Sequence, residues 1–219
     1  MKVILFGGTG MIGRGVLREC LLDPGVEAVL SVGRTPLTEK NPKLHDLVTS
    51  DLTNLSRYEA DLTGYEACFF CLGTSSAGKS EENYKRVTYD LTVAAAQTLL
   101  RFNRTLVFIY VSGAGTDSTE RGRIMWARVK GQTENALLRM PFKAAYMFRI
   151  GIVQPLHGIK SKTKLYNFFY IVLSPVLSVL QKLFPRQIVT TEQVGRAMLR
   201  LVREGNPKSI LENSDISGL

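Results

Sequence analysis

A glycine loop close to the N-terminus constrains the fold of this 219-residue chain more than any other feature. A short apolar segment, Val3 to Phe6, leads directly into glycines at positions 7, 8, 10 and 13, and a segment of helical period then follows from Met11 to Leu22. Glycine lacks the Cβ that would block a tight turn or close packing of a helix on a strand. The order of strand, glycine loop and helix therefore predicts the first unit of a dinucleotide-binding α/β fold.

Short apolar runs alternate with longer helical segments along the first 150 residues. Strands that are apolar throughout have no face suited to water, so they favour a parallel sheet covered on both sides. We expect a single domain, residues 1–219, with a doubly wound, mostly parallel Rossmann-like sheet and a small helical C-terminal cap at residues 151–190. The predicted strands are Val3–Phe6, Ala28–Val32, Cys68–Leu72, Leu106–Val111 and Ala144–Ile150, and the predicted helices are Met11–Leu22, Glu81–Phe102, Trp126–Met140 and Glu192–Arg203.

Composition excludes several other classes of protein. With 45% hydrophobic and 21% charged residues, the chain is too apolar and too weakly charged to be intrinsically disordered. Its three cysteines, Cys20, Cys68 and Cys71, are too few for a disulfide framework. The first apolar stretch is too short for a signal peptide. We therefore expect a cytoplasmic location.

The positive charge is unevenly distributed. The net charge is +9, yet residues 1–110 hold 12 basic and 12 acidic side chains, so the whole excess lies in residues 111–219. No helix-turn-helix, zinc-finger or RNP pattern accompanies that excess. We expect a small anionic group there, such as a cofactor phosphate, an acidic substrate or a lipid headgroup, and argue against nucleic acid.

The glycine loop and the end of the second strand together predict which cofactor is bound. Free N–H groups at a helix N-terminus bind phosphate, and the residues predicted to contact the cofactor here are Gly7, Thr9, Gly10, Met11, Ile12 and Gly13. A site for NAD offers an acid at the end of the second strand, but this strand ends in Gly33-Arg34. An arginine there suits the 2′-phosphate of NADP, so we expect NADP in preference to NAD. The alternative is a solvated loop arginine.

Several later motifs make a family resemblance plain. Asp51-Leu52-Thr53, Cys71-Leu72-Gly73-Thr74, Val111-Ser112-Gly113-Ala114 and the lysine of Trp126-Ala127-Arg128-Val129-Lys130 resemble the atypical short-chain dehydrogenase/reductases. The chain is most similar to the short epimerase/dehydratase, NmrA-like and Tat-interacting-protein-like members. The resemblance implies NADP(H)-dependent oxidoreductase or epimerase-like activity on a small, acidic or lipophilic substrate, in a monomer or homodimer. It also implies that Asp51, Leu52, Leu72, Gly73 and Ile152 line the cofactor.

The same resemblance exposes a departure at the catalytic centre. Members that transfer hydride use a tyrosine and a lysine four residues apart on one helix, with a Ser or Thr at the end of the fifth strand. Lys130 has the lysine's place, but Trp126 stands where the tyrosine belongs. An indole N–H donates a hydrogen bond but does not titrate usefully. Ser112 is the nearest hydroxyl, although Gly113 fits the family's Ser/Thr position equally well.

This departure leaves three functional alternatives. In the first, another group supplies the proton: Tyr84, Tyr89 or water bound to Lys130. In the second, the chain is a non-catalytic NADP-sensing regulator or scaffold. In the third, Trp126 only positions a substrate that needs little acid catalysis.

Several of these residues also have an interpretation in which they serve only the structure. Glu134 lies one helical turn after Lys130, so the two could form a surface ion pair instead of serving a cofactor. Trp126 could be a packing residue. Cys68 and Cys71 lie three apart on a strand, which points them to opposite faces, so we read them as buried strand residues and predict no metal site. His45 and His157 receive no role.

Residues 160–186 combine basic and apolar character. Lysines flank a run of apolar residues that is divided by Pro175 and too marginal for a spanning helix. One reading is a hydrophobic lid over the substrate cleft. The other is peripheral membrane contact, in which the apolar side chains enter a bilayer and the lysines meet anionic lipid.

Overall fold

The computed structural model of this chain describes residues 1–159 and 187–219. The described residues form nine strands and seven α-helices. The strands are β1 Lys2–Phe6, β2 Ala28–Gly33, β3 Leu44–Val48, β4 Ala67–Phe70, β5 Val107–Gly113, β6 Ala144–Ile150, β7 Ile152–Gln154, β8 Ile188–Thr190 and β9 Ile210–Glu212. The helices are α1 Met11–Leu22, α2 Glu59–Leu62, α3 Glu81–Lys85, α4 Leu91–Phe102, α5 Met125–Leu138, α6 Thr191–Glu204 and α7 Asn213–Ile216.

A seven-stranded parallel sheet forms the centre of the described part, in the order β3-β2-β1-β4-β5-β6-β9. Every strand pair in it is parallel, because each connection returns across a face of the sheet before the next strand begins. The direction of winding reverses between β1 and β4, so the loops after these strands diverge and leave a crevice at their carboxyl ends. The expected doubly wound Rossmann-like sheet is confirmed.

The two faces of the sheet bury separate hydrophobic clusters. Alternate strand residues point to opposite faces, so Leu5 packs on one side, towards α1 and α6, and Phe6 on the other, towards α4 and α5. The rings of Phe6 and Phe70 stack with their centroids 4.9 Å apart. Burial on both faces explains why the strands read as continuous apolar runs in the sequence.

Helix boundaries follow local signals, with one irregularity. Thr190 caps α6 by accepting from the Gln193 N–H, while the Gln193 side chain accepts from the Thr190 N–H. The single helix expected from Glu81 to Phe102 is interrupted by a π turn at Arg86–Asp90, between α3 and α4. Periodicity alone does not reveal such a turn, because it adds one residue without ending the helix.

The cap expected at residues 151–190 is described only at its two ends. There, β7 and β8 pair in parallel as a separate two-stranded sheet, with Val153 opposite Val189. Strands of three residues are too short to give a periodic signal, so the sequence did not predict them. The predicted helical cap itself, and the predicted membrane contact through residues 160–186, lie outside the described residues. Within 1–159 and 187–219, no helix combines the length and apolar character needed to cross a bilayer.

Candidate functional site

A cavity of about 600 Å³ opens at the carboxyl ends of β1, β2 and β4, where the winding reverses. Such a crevice is the usual ligand site of open α/β sheets. Eight of the residues predicted to bind a cofactor line it: Gly7, Thr9, Gly10, Met11, Arg34, Leu52, Leu72 and Gly73. The sequence reasoning missed Gly8, Ser31, Val32, Gly33, Thr35 and Cys71, which also line it. Their only signal was their position beside the predicted residues at the same strand ends.

Gly7 makes the turn after β1 possible. Its φ is +79°, a conformation that residues with a Cβ rarely adopt, and a Cβ there would lie 2.6 Å from the Leu72 backbone nitrogen. The Gly10 N–H donates to the Gly7 carbonyl at 2.9 Å and closes the turn. A Cβ on Gly13 would overlap the same carbonyl. The turn, the strand end and the helix can therefore approach this closely only with glycine at both positions.

The N-terminus of α1 faces the cavity without a side-chain cap. Gly10 precedes the helix in an extended conformation, and none of the side chains in residues 1–159 and 187–219 bonds to the N–H groups of the first turn. These backbone donors and the positive end of the helix dipole suit a phosphate group. Met11 lines the cavity, and Ile12 follows it in the same turn. The chain therefore fits a dinucleotide pyrophosphate through its backbone.

Arg34 is exposed at the rim of this cavity, one residue beyond β2. Among the fourteen lining residues in the described part of the chain it is the only charged one. Its guanidinium has no hydrogen-bond or ion-pair partner among residues 1–159 and 187–219. The one charged side chain among the described residues that line the cavity is thus available to an anionic ligand.

Five predicted cofactor residues lie outside the cavity wall: Ile12, Gly13, Asp51, Lys130 and Ile152. The Asp51 carboxylate accepts from the N–H and hydroxyl of Thr53, and these hydrogen bonds hold its pKa below the usual range. Ile152 lies in β7 with 51% of its surface exposed. Leu52 rather than Asp51 therefore supplies the wall on that side.

Lys130 lies on α5 behind the end of β5, beyond the residues that line the cavity. Its Nζ is 3.3 Å from the Tyr110 hydroxyl and 3.4 Å from the Val111 carbonyl oxygen. Burial lowers the pKa of Lys130 to about 8, against an opposing effect from the nearby Glu134 carboxylate. Tyr110 is fully buried, and burial raises the pKa of its hydroxyl. The lysine is thus held against the strand end in a poorly solvated environment.

Trp126 lies one turn before Lys130 and packs on glycine backbone. A Cβ on Gly113 would be 3.6 Å from its Cζ3 atom and 3.8 Å from Cδ of Lys130, and a Cβ on Gly115 would be 3.7 Å from its Cη2 atom. The structure therefore brings Trp126, Lys130 and Gly113 together. Where the family resemblance implies a hydroxyl, the residue facing the other two is Gly113.

Ser112 uses its hydroxyl within its own loop. Its Oγ lies 3.1 Å from the Thr116 hydroxyl, which itself donates to the Gly113 carbonyl at 2.7 Å. Both side chains are buried. The hydroxyl predicted to orient a substrate thus closes the turn after β5 in this structure.

The surface ion pair considered for Lys130 and Glu134 is not formed. Glu134 is completely buried, and its carboxylate accepts two hydrogen bonds from Arg149, from Nε at 3.1 Å and from Nη2 at 2.6 Å. Hydrogen bonding to Glu134 raises the pKa of the Arg149 guanidinium above its usual value. Lys130 is thereby left without a carboxylate partner in the described part of the chain, which favours its reading as a site residue.

The two other tyrosines named as proton donors differ in their surroundings. Tyr84 is buried in α3, and burial raises the pKa of its hydroxyl. Tyr89 lies in the π turn with the Lys85 ammonium 4.6 Å from its ring centroid. Neither hydroxyl bonds to Lys130.

The cysteines and histidines behave as structural residues. Cys68 belongs to the hydrophobic cluster on one face of the sheet, and Cys71 packs against the cluster on the other, as strand alternation predicts. Burial raises the pKa of both thiols. His157 bonds to Glu192 at 2.9 Å on the surface. Residues 1–159 and 187–219 contain no cluster of three or more metal-binding side chains.

Comparison with known proteins agrees with this geometry. Residues 3–120 match the NAD dependent epimerase/dehydratase family. The chain is 27% identical over 158 residues to the mitochondrial protein fmp52 of Emericella nidulans, covering 69% of this chain and 66% of that protein. It is 25% identical over 154 residues to the protein HTATIP2 of Rattus norvegicus, covering 69% and 62%. The matched regions thus span just under two thirds of both relatives.

Solved structures share the fold at lower identity. The Bordetella bronchiseptica enzyme WbmF, in complex with NAD+, aligns with a TM-score of 0.65 at 15% identity, over 99% of this chain and 76% of that one. A short chain dehydrogenase from Burkholderia cenocepacia in complex with NADP aligns with a TM-score of 0.64 at 13% identity, over 99% and 89%. One neighbour holds NAD+ and the other NADP, so fold likeness does not choose between them.

The comparisons correct the expected cytoplasmic location. The matched fungal relatives are named as mitochondrial proteins. The expectation was based on cysteine content and on the short apolar N-terminus, and neither feature distinguishes the cytoplasm from another reducing compartment.

Proposed function

Since the chain belongs to the NAD-dependent epimerase/dehydratase family of NAD(P)-binding oxidoreductases, we propose that it binds NADP(H) and reduces a small, lipophilic or acidic substrate. The observation that carries the choice of cofactor is Arg34, the one charged residue among those described around the cavity. A site for NAD offers a carboxylate to the ribose 2′-hydroxyl, whereas a free guanidinium binds a 2′-phosphate through two hydrogen bonds.

The chain's own residues would hold the cofactor as follows. The N–H groups at the start of α1 bind the pyrophosphate, and Arg34 binds the 2′-phosphate. The glycine turn would let the backbone approach the cofactor closely, and Lys130 of α5 would hold the ribose on the nicotinamide side. Once bound, the cofactor supplies a hydride. Trp126 and Lys130 then form the wall on which a substrate is oriented.

A second function is favoured by a specific observation at that wall. The position of the usual tyrosine holds an indole that packs on Gly113 and Gly115, and the Ser112 hydroxyl is bonded to Thr116. A site without a titrating hydroxyl suits a non-catalytic NADP-sensing regulator or scaffold. It equally suits a reductase whose substrate needs little acid catalysis.

The first experiment is a titration of the purified protein with NADPH and NADH, following nucleotide fluorescence and quenching of Trp126. We expect NADPH to bind at least about 10-fold more tightly than NADH, a difference of about 1.4 kcal/mol. Lys130→Ala should weaken the binding of both nucleotides, since the ribose is common to them. Equal affinity for the two nucleotides would refute the preference, and absence of binding would refute the function.

Turnover then separates the two functions. NADPH oxidation is measured with aldehydes, ketones and quinones as acceptors, in the presence and in the absence of the protein. Reduction of any acceptor above the rate without protein identifies a reductase. Tight NADPH binding with no turnover across the panel identifies the regulator.

A further inference from the structure

The six-membered ring of Trp126 lies beside two glycines, Gly113 and Gly115. Cζ3 and Cη2, the ring atoms that lie beside Gly113 and Gly115, are on the side of the indole opposite Nε1. The six-membered ring therefore faces the two glycines, and the five-membered ring with its N–H is the end of the indole farther from them.

The indole N–H has no acceptor within residues 1–159 and 187–219. No hydrogen bond from Trp126 is formed to any described residue, and its nitrogen is not among the buried atoms left without a partner. Among the described residues the nitrogen is thus neither paired nor fully buried. A tryptophan that served only to pack a buried core would normally have its N–H hydrogen-bonded to a neighbouring acceptor.

We propose that Trp126 is a catalytic hydrogen-bond donor, whose indole N–H binds a carbonyl oxygen of a quinone substrate. This inference rests on the proposed reductase function and names its substrate class. A fixed neutral donor stabilises charge that develops on oxygen in the transition state. It supplies no proton, so the best substrates are those whose reduced oxygen shares its charge with a ring.

The balance of the reaction follows from these roles. The hydride and its electron pair move from NADPH to the π system of the quinone, and an electron pair of that system passes to the carbonyl oxygen that Trp126 binds. NADPH becomes NADP+, and the substrate is reduced by two electrons. The oxygen, hydrogen-bonded to Trp126, then takes its proton from water. Lys130 keeps the ribose in place and is not consumed.

The binding test uses the fact that the chain contains one tryptophan. In protein labelled with ¹⁵N-tryptophan and saturated with NADP+, the indole N–H gives a single NMR signal. Adding acetophenone should move this proton downfield. Ethylbenzene, which has the same ring without the carbonyl, should not. Equal shifts with both compounds, or no shift with acetophenone, would overturn the proposal.

The kinetic test removes the N–H and keeps the ring. In a tryptophan auxotroph, benzothienylalanine replaces Trp126 alone and substitutes sulfur for the N–H group. We expect kcat/KM with 9,10-phenanthrenequinone to fall about 10- to 100-fold, while the affinity for NADPH and the melting temperature stay as in the native protein. An unchanged kcat/KM would assign Trp126 a packing role.

Taken together, the outcomes distinguish a failure of this proposal from a failure of the proposed reductase function. If NADPH binds, the acetophenone shift appears and no acceptor is reduced, the carbonyl donor stands and the reductase function fails. If acceptors are reduced but neither the shift nor the benzothienyl effect is seen, the reductase stands and the donor role fails.

Discussion

The two ends of the cleft are built by different means. At the cofactor end, the turn at Gly7, the N-terminus of α1 and the crevice between β1 and β4 present mainly backbone, with one guanidinium at the rim. Beyond the residues that line the cavity, at the proposed substrate end, Trp126, Lys130 and Gly113 meet through side-chain volume and side-chain chemistry. A cradle of backbone tolerates many sequences provided that glycine occupies a few positions. Chemistry carried by side chains changes with a single substitution.

The largest effect is expected from Gly7→Ala, which attacks the backbone cradle directly. An alanine at this position would have to adopt a φ of +79°, and its methyl carbon would lie 2.6 Å from the Leu72 backbone nitrogen. We expect NADPH affinity to fall at least about 100-fold, or about 2.7 kcal/mol. Gly64→Ala is the matched control, since its φ is +88° and no atom lies within 4 Å of the added methyl. Similar nucleotide affinities in the two variants would mean that the cradle is not the site.

Arg34→Ala tests the one charged contact at the cofactor end. Loss of the guanidinium should raise the Kd for NADPH about 10- to 100-fold, because a charge-assisted bidentate contact disappears. The Kd for NADH should not change. Arg104→Ala removes another exposed arginine, remote from the cavity, and is the control. Parallel losses for both nucleotides would contradict a contact with the 2′-phosphate.

The substrate end can be rebuilt rather than broken. Trp126→Tyr combined with Gly113→Ser restores both hydroxyls that the family resemblance implies. The serine fits, since a Cβ on Gly113 makes ordinary 3.6 Å contact with the ring at position 126. We expect NADPH oxidation with simple aldehydes to rise about 10-fold and to acquire a pH dependence. Trp126→Tyr with Gly113→Ala adds the same volume without the second hydroxyl, and equal rates in the two double variants would exclude a role for that hydroxyl.

Lys130→Met should produce the smallest change, seen in the pH dependence of stability. The pKa of Lys130 is about 8 in the folded chain and 10.5 for a free lysine. At a pH between these two pKa values, the unfolded chain therefore still binds a proton that the folded chain has lost. The native protein therefore gains stability as pH rises through this window. Below pH 8, Lys130→Met should be more stable by on the order of 1 kcal/mol, or about 2–4 °C in Tm. Thermal melts of the native protein and the variant at about pH 7 and about pH 10 measure this gain. If the difference in Tm between the two proteins were the same at both pH values, the buried ammonium would be contradicted.

Much of the fold could be predicted because its signals are local. The strands β1, β2 and β6 and the helix α1 were expected within one residue of their observed bounds. The three-residue strands β7, β8 and β9 were not expected, since they depend on pairing between distant segments. The π turn at Arg86–Asp90 was missed for a related reason, because it continues the helix and leaves its ends unchanged.

The candidate site divides in the same way. Gly7, Gly10 and Arg34 could be identified from a motif, because their spacing along the chain fixes their geometry. The pairing of Glu134 with Arg149 could not, and spacing suggested Lys130 as its partner instead. Which carboxylate meets which cation is decided by the packing of α5 against β6, not by separation along the helix.

The sequence by itself determined the alternation of strands and helices, the glycine turn and the arginine after β2, because each depends on residues that are neighbours along the chain. Only the tertiary structure decided that Gly113 rather than Ser112 faces Lys130, and that Trp126 packs on Gly113 and Gly115. These contacts arise where α5 crosses the end of β5. The path of the loop between them sets that crossing, and no local pattern encodes it.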